Sequence, residues 1–155
     1  MGRTTTVSLR ILQGLLAAIN MSLSAFVINY YLTSTLQGSP GSFSFVLAAS
    51  CISFASLLYL ELAPKMFPRV AHPYAILLVE ATNTLFYFIA FIVLAVFLGS
   101  LQMCFGAVCK AGRADSVAAA AAFCAWIAST IFTAKDMFLG KLPRPGSKAN
   151  LVSDV

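Results

Sequence analysis

The chain has 155 residues, of which 60% are hydrophobic and 10% charged, with a net charge of +5 and a mean hydropathy of +0.90. A soluble domain carries about 45–50% apolar and about 25% charged residues, and a globule this small has too little interior to hide the surplus. A water-soluble enzyme, a disordered chain and a DNA-binding domain are therefore excluded, and lipid is the solvent for most of the chain.

A hydrocarbon core of about 30 Å is crossed by about 20 mostly apolar residues in a helix. Four runs qualify, at about 11–32, 43–63, 74–98 and 117–139. Breakers separate them: Gln37-Gly38-Ser39-Pro40-Gly41-Ser42 after the first, Pro64 and the basic segment through Arg69, His72 and Pro73 after the second, and Gly140 with Pro143 after the fourth. The stretch from Gly99 to Ser116 reads as the loop before the last span. None of the runs alternates with the period of a strand, so a barrel is ruled out. The first run exceeds the 7–15 apolar residues of a signal peptide and has no small-x-small exit. The expected fold is an all-α membrane protein: one four-helix transmembrane bundle over 1–140, followed by a flexible basic tail over 141–155.

With four spans, the amino terminus, the second loop and the tail share one side. That side carries Arg3, Arg10, Lys65, Arg69, Lys135, Lys141, Arg144 and Lys148, and the other only Lys110 and Arg113. Loops rich in Lys and Arg stay in the cytoplasm, which puts both termini there. The pI of about 9.2 then describes an inner rim near anionic lipid, not a nucleic-acid footprint.

Glu80 is the most informative residue, because an acid deep in a span needs a partner or a task. Asn83, Thr84 and Tyr87 follow at i+3, i+4 and i+7 on the same helical face. Lys135, near the end of the fourth span, is the expected partner. Two readings stand: an inward ion pair or protonated carboxyl that fixes packing, and, less favoured, part of a proton or ion path. Glu61 and Asp136 lie near span ends, where snorkelling is the rule. His72, the single histidine, has neither metal-ligand spacing around it nor a nucleophile elbow. No phosphate loop occurs. No enzyme, cofactor or metal is expected.

Cys104 and Cys109 fall in the outer loop and are expected to form a disulfide in an oxidising compartment, with two free thiols as the alternative. Cys51 and Cys124 read as small packing residues. Small residues recur at four-residue spacing, as Gly14, Ala18 and Ser22 in the first span and Ala121, Ala125, Ser129 and Thr133 in the fourth. Such stripes let helices approach closely, within one chain or, less favoured, across a homo-oligomer. Asn20 and Asn29 are expected to hydrogen-bond between helices. Met1-Gly2 with Thr6 matches the short myristoylation pattern.

Four spans, a short first loop and a cysteine pair in the second outer loop resemble the MARVEL-domain proteins, and within them the fungal non-classical export protein branch. Leu9-Arg10-Ile11-Leu12 is similar to the start of that branch's first span, Glu80 with Asn83 and Leu94-Ala95-Val96 to its third, and Ala134-Lys135 to the end of its fourth. Glu80 stands where that branch has Asp, and the second outer loop is brief. Plant Casparian-strip-like proteins share the layout. The resemblance implies a non-enzymatic organiser of plasma-membrane lipid domains, eisosome-type furrows or membrane traffic, whose partners are sterol- or sphingolipid-rich lipid and other transmembrane helices. The alternatives are a small transporter or channel using Glu80, and an accessory subunit of a larger membrane complex.

Overall fold

A computed structural model describes residues 3–34, 38, 40–66, 73–100 and 106–139. The expected tail, His72, Gly2 and Cys104 lie outside these residues. Four helices follow one another: α1 (Arg3–Ser34), α2 (Gly41–Met66), α3 (Pro73–Ser100) and α4 (Ala107–Leu139). Each contains an apolar stretch long enough to cross a membrane: Thr6–Ser34, Gly41–Leu62, Tyr74–Ser100 and Ala107–Phe138. The four-helix membrane architecture read from composition is the architecture observed.

The boundaries differ in an instructive way. α4 begins at Ala107, about ten residues ahead of the expected span, so most of the presumed loop from Gly99 to Ser116 is helix. Lys110, Gly112, Arg113 and Asp115 made that stretch look like a loop. In the helix Lys110 and Arg113 point outward while Cys109, Gly112, Asp115, Ser116, Ala119, Ala122, Ala125, Trp126 and Ser129 are buried. Those spacings of three and four are the period of one helical face. Gly106, at a φ of 96°, supplies the left-handed turn just ahead of α4, a conformation other residues rarely adopt. At the start of α2, the carbonyl of Pro40 accepts from the Phe43 and Ser44 amides at 3.1 and 3.4 Å.

The helices form a ring. α1 packs on α2 and α4, and α3 packs on α2 and α4, while the diagonal pairs make no close backbone contact. The centre holds Phe43, Val46, Tyr87, Leu94 and Trp126, all fully or almost fully buried. Phe43 and Phe97 meet edge to face with centroids 5.6 Å apart. The outside is the inverse of a soluble protein: Leu15, Leu58, Leu78, Val96 and Val117 each expose more than half of their surface. An apolar belt of this kind requires a hydrocarbon surround.

The small-residue stripes are offset from expectation. Gly14 faces α2, with Leu57 Cδ1 3.7 Å from where a Cβ would stand, and Ala18 is half-buried, but Ser22 and Ala121 are exposed. A strict four-residue step drifts around a helix of 3.6 residues per turn, so residues linked by it do not stay on one face. The stripes that reach the centre are Gln13, Ala17, Asn20, Ser24 and Val27 in α1, and Ala119, Ala122, Ala125 and Ser129 in α4. Cys51 and Cys124 are exposed thiols on the outer surface rather than packing residues.

Gly112 is tightly packed against side chains of α2 and α3. A Cβ there would lie 3.2 Å from both Leu98 Cδ2 and Phe43 Cζ. Overpacking typically costs about 1–3 kcal/mol, so Gly112→Val should lower the melting temperature of the detergent-solubilised protein. Gly99→Ala, with nothing within 4 Å of its Cβ, should leave it unchanged or slightly raised. Equal melting of the two variants would contradict this packing.

Candidate functional site

A bundle in lipid gains little from hiding apolar side chains, since the tails outside are as apolar as the core. What distinguishes this interior is its polar content. Gln13, Asn20, Ser24, Ser50, Ser53, Glu80, Asn83 and Asp115 are each 1% exposed or less. Six of them, all but Asn20 and Ser50, fall into three groups along the bundle axis, contributed by all four helices.

The first group centres on Glu80. Its Oε1 accepts from Arg10 Nη2 in a close ion pair and from Ser129 Oγ at 2.8 Å. Arg10 Nη1 donates to Gln13 Oε1 at 3.2 Å, and Gln13 Nε2 donates to the Ala125 carbonyl at 3.3 Å. Helices α1, α3 and α4 are thereby tied together, and the ion pair crosses the diagonal between α1 and α3. Among the described residues Glu80 Oε2 has no hydrogen-bond partner. Beside this group, Thr84 Oγ1 and Thr130 Oγ1 lie 3.1 Å apart.

Glu80 is thus paired, as its depth demanded, but not with Lys135. Lys135 is exposed on α4. Antiparallel packing sets Glu80 opposite Ser129, and Lys135 lies about 9 Å further along α4 at 1.5 Å per residue. Arg10 was assigned to the flank of the first span because it is charged. The polar or small residues at 10, 13, 17, 20 and 24 follow helical spacing, and that signal places Arg10 on the inward face.

The second group joins α2 to α3. Asn83 Oδ1 accepts from Ser53 Oγ at 2.8 Å, and its Nδ2 donates to Ser56 Oγ at 2.8 Å and to the Val79 carbonyl at 2.9 Å. The inward stripe expected from Glu80 and Asn83 therefore does hold helices together. Asn20 is buried but donates to the Leu16 carbonyl of its own helix at 2.8 Å, and Asn29 is exposed. Neither asparagine makes the interhelical bond expected of it among the described contacts.

The third group escaped the sequence reading. Ser24 Oγ donates to Asp115 Oδ2 at 2.6 Å, which joins α1 to α4 in the half of the bundle away from Arg10. Asp115 is fully buried, and among the described residues its Oδ1 has no hydrogen-bond partner. The signal that reveals it is the buried face running from Cys109 to Ser129, which is visible once the charges at Lys110 and Arg113 are allowed to point outward.

Chemically, these groups can tie helices and hold charge. Among the described residues no three His, Cys, Asp or Glu side chains converge as metal ligands. Removing one member of a buried ion pair costs about 3–5 kcal/mol because the other is stranded, whereas an apolar double replacement is often much milder. Arg10→Met and Glu80→Gln should each destabilise the protein strongly in detergent unfolding, and the double variant should lose less than their sum. Lys135→Met should be additive with Glu80→Gln. Additivity between positions 10 and 80 would show that they do not interact.

The model of the MARVEL family, described as a membrane-associating domain, matches residues 2–132, which takes in α1 to α3 and most of α4. No curated protein and no solved structure matches the chain.

Proposed function

We propose, from the premise that the chain belongs to the MARVEL family of membrane-associating domains, that it is a non-enzymatic, multi-pass organiser of lipid domains in the plasma membrane or of membrane traffic. The observation that carries this reading is the division of the surface. Hydrogen-bonding side chains are gathered on the axis, while the outer face is a belt of exposed Leu, Ile, Phe and Val. Selective contacts of such a molecule are with lipids and other helices rather than soluble ligands. Helices of 26 to 33 residues exceed the roughly 20 needed to cross, and length mismatch sorts proteins toward thicker, sterol- and sphingolipid-rich membrane. The excess of Lys and Arg on the side of the termini supports a cytoplasmic location for both. The fungal non-classical export branch is the subgroup this reading favours.

A tagged copy in its native cell should lie in plasma-membrane patches that disperse when sterol or sphingolipid synthesis is blocked. Uniform staining, indifferent to those inhibitors, would overturn the reading. The transporter alternative draws its support from two buried acids, Glu80 and Asp115, each with one oxygen unpartnered. It requires substrate-dependent flux in reconstituted vesicles that Glu80→Gln abolishes.

The same orientation puts Cys104 and Cys109 on the outer side, where a disulfide between them would anchor the entry to α4. Cys109 is buried in the first turns of that helix. Mass spectrometry of the unreduced peptide should find it two hydrogens lighter than the reduced form. Complete alkylation without reductant would reject the bond.

A further inference from the structure

A cavity of about 300 Å³ opens between α1, α3 and α4 at the end of the bundle that carries the amino terminus. Arg10, Ser129, Thr133 and Asp136 bring polar groups to its lining, and Leu9 and Phe132 are among its apolar residues. Its depth is informative. Arg10 lies about one turn inside the candidate span Thr6–Ser34, and Asp136 is within the last turn of Ala107–Phe138. The cavity therefore sits where headgroups meet acyl chains, with Arg10 deeper and Asp136 nearer the aqueous rim.

The charges of the wall are unequal in role. Arg10 is neutralised by Glu80, a fully buried carboxylate behind the wall whose Oε2 has no partner. Ser129, itself 6% exposed, donates to the same Glu80. A guanidinium has five N–H donors, of which the bonds to Gln13 and Glu80 take two. Those that remain are available to an anionic oxygen. Asp136, by contrast, is exposed at the rim, and the Arg10 charge is already answered, so the wall's uncompensated charge is negative. The lining itself therefore gives an anionic headgroup no advantage over a zwitterion, even though the surrounding side of the bundle is rich in Lys and Arg. A zwitterion whose phosphate lies deep and whose ammonium lies shallow is matched in charge, order and amphipathic character.

We propose that this cavity is a binding site for a zwitterionic phospholipid with a primary ammonium headgroup, of the phosphatidylethanolamine type. The phosphate oxygens accept from Arg10. The ammonium donates to Asp136 and to the Thr133 hydroxyl, and the glycerol and upper acyl chain lie against Leu9 and Phe132. The site needs a membrane but not lateral sorting, so it goes beyond the organiser reading and stands or falls separately from it.

Native mass spectrometry of the full chain in detergent, titrated in turn with phosphatidylethanolamine, phosphatidylcholine and phosphatidylglycerol, tests the site. Ion pairs near a surface are worth at most about 1 kcal/mol, so phosphatidylethanolamine adducts should exceed phosphatidylglycerol adducts by about five-fold. Asp136→Asn should erase that preference, Asp136→Glu should restore it, and Thr133→Val should reduce it; all three sit at the rim, away from the buried network. Equal retention of the ethanolamine and glycerol lipids, or an unchanged preference in Asp136→Asn, would overturn the proposal. Equal retention of phosphatidylcholine would overturn recognition of the primary ammonium. Displacement of the lipid by soluble phosphoethanolamine at equal concentration would overturn the assignment to a membrane lipid.

Discussion

The ion pair between Arg10 and Glu80 is the constraint from which most of the interior follows. Two opposite charges inside a hydrocarbon-spanning bundle are tolerable only when they meet and when further hydrogen bonds take up their remaining capacity. Gln13 and Ser129 supply those bonds, and in doing so they fix how far α1 and α4 slide along α3. The pair also crosses the diagonal of a ring in which α1 and α3 make no close backbone contact. One charged contact thus links two helices whose backbones do not meet.

Register along the axis is set by polar pairs together with the close packing around Phe43 and Gly112. Lipid-facing Leu, Ile and Phe are equally satisfied at any depth in the hydrocarbon, and small residues permit approach without choosing a partner. Asn83 with Ser53 and Ser56, and Ser24 with Asp115, do choose. They occupy different levels, so a slide of one helix by a turn would break several bonds together. Interhelical hydrogen bonds of this kind average about 0.6 kcal/mol each, modest singly but distributed over the α1–α4, α2–α3 and α3–α4 interfaces.

What could be read from the residues divides along the same physical line. Hydrophobic runs report the solvent directly, so the four spans and the membrane class were legible. Glu80 was legible as a residue in need of a partner, since a lone acid in a span has few stable alternatives. The partner itself was not, because it depends on which residues of antiparallel helices face each other. Lys135 lay at a plausible depth by counting from span ends, yet α4 meets Glu80 at Ser129. Charge misled at Arg10, which was counted with the flank of its span, and Asp115 was passed over inside a stretch read as a loop. In both cases the helical spacing of neighbouring polar and small residues contained the better information. Four-residue stepping failed for Ser22 and Ala121 for a geometric reason, the drift of a 3.6-residue helix.

The two ends of the polar axis differ, and that difference bears on what such a bundle can select. At the end with Arg10, charge is balanced and the network abuts a cavity open toward the interface. At the other, Asp115 is held by Ser24 alone among the described contacts, behind a tight crossing at Gly112. Between them the outer face is mainly hydrocarbon, which distinguishes membranes by thickness and order but not one headgroup from another. Headgroup chemistry can be read only where polar side chains reach the rim, and among the described residues α1 and α4 bring Arg10, Thr133 and Asp136 there together. On the two proposals made above, a belt that senses bilayer thickness and a rim that senses headgroups would be two independent handles on lipid composition. The buried network makes both possible, because it holds the helices in one register while leaving their outer surfaces free.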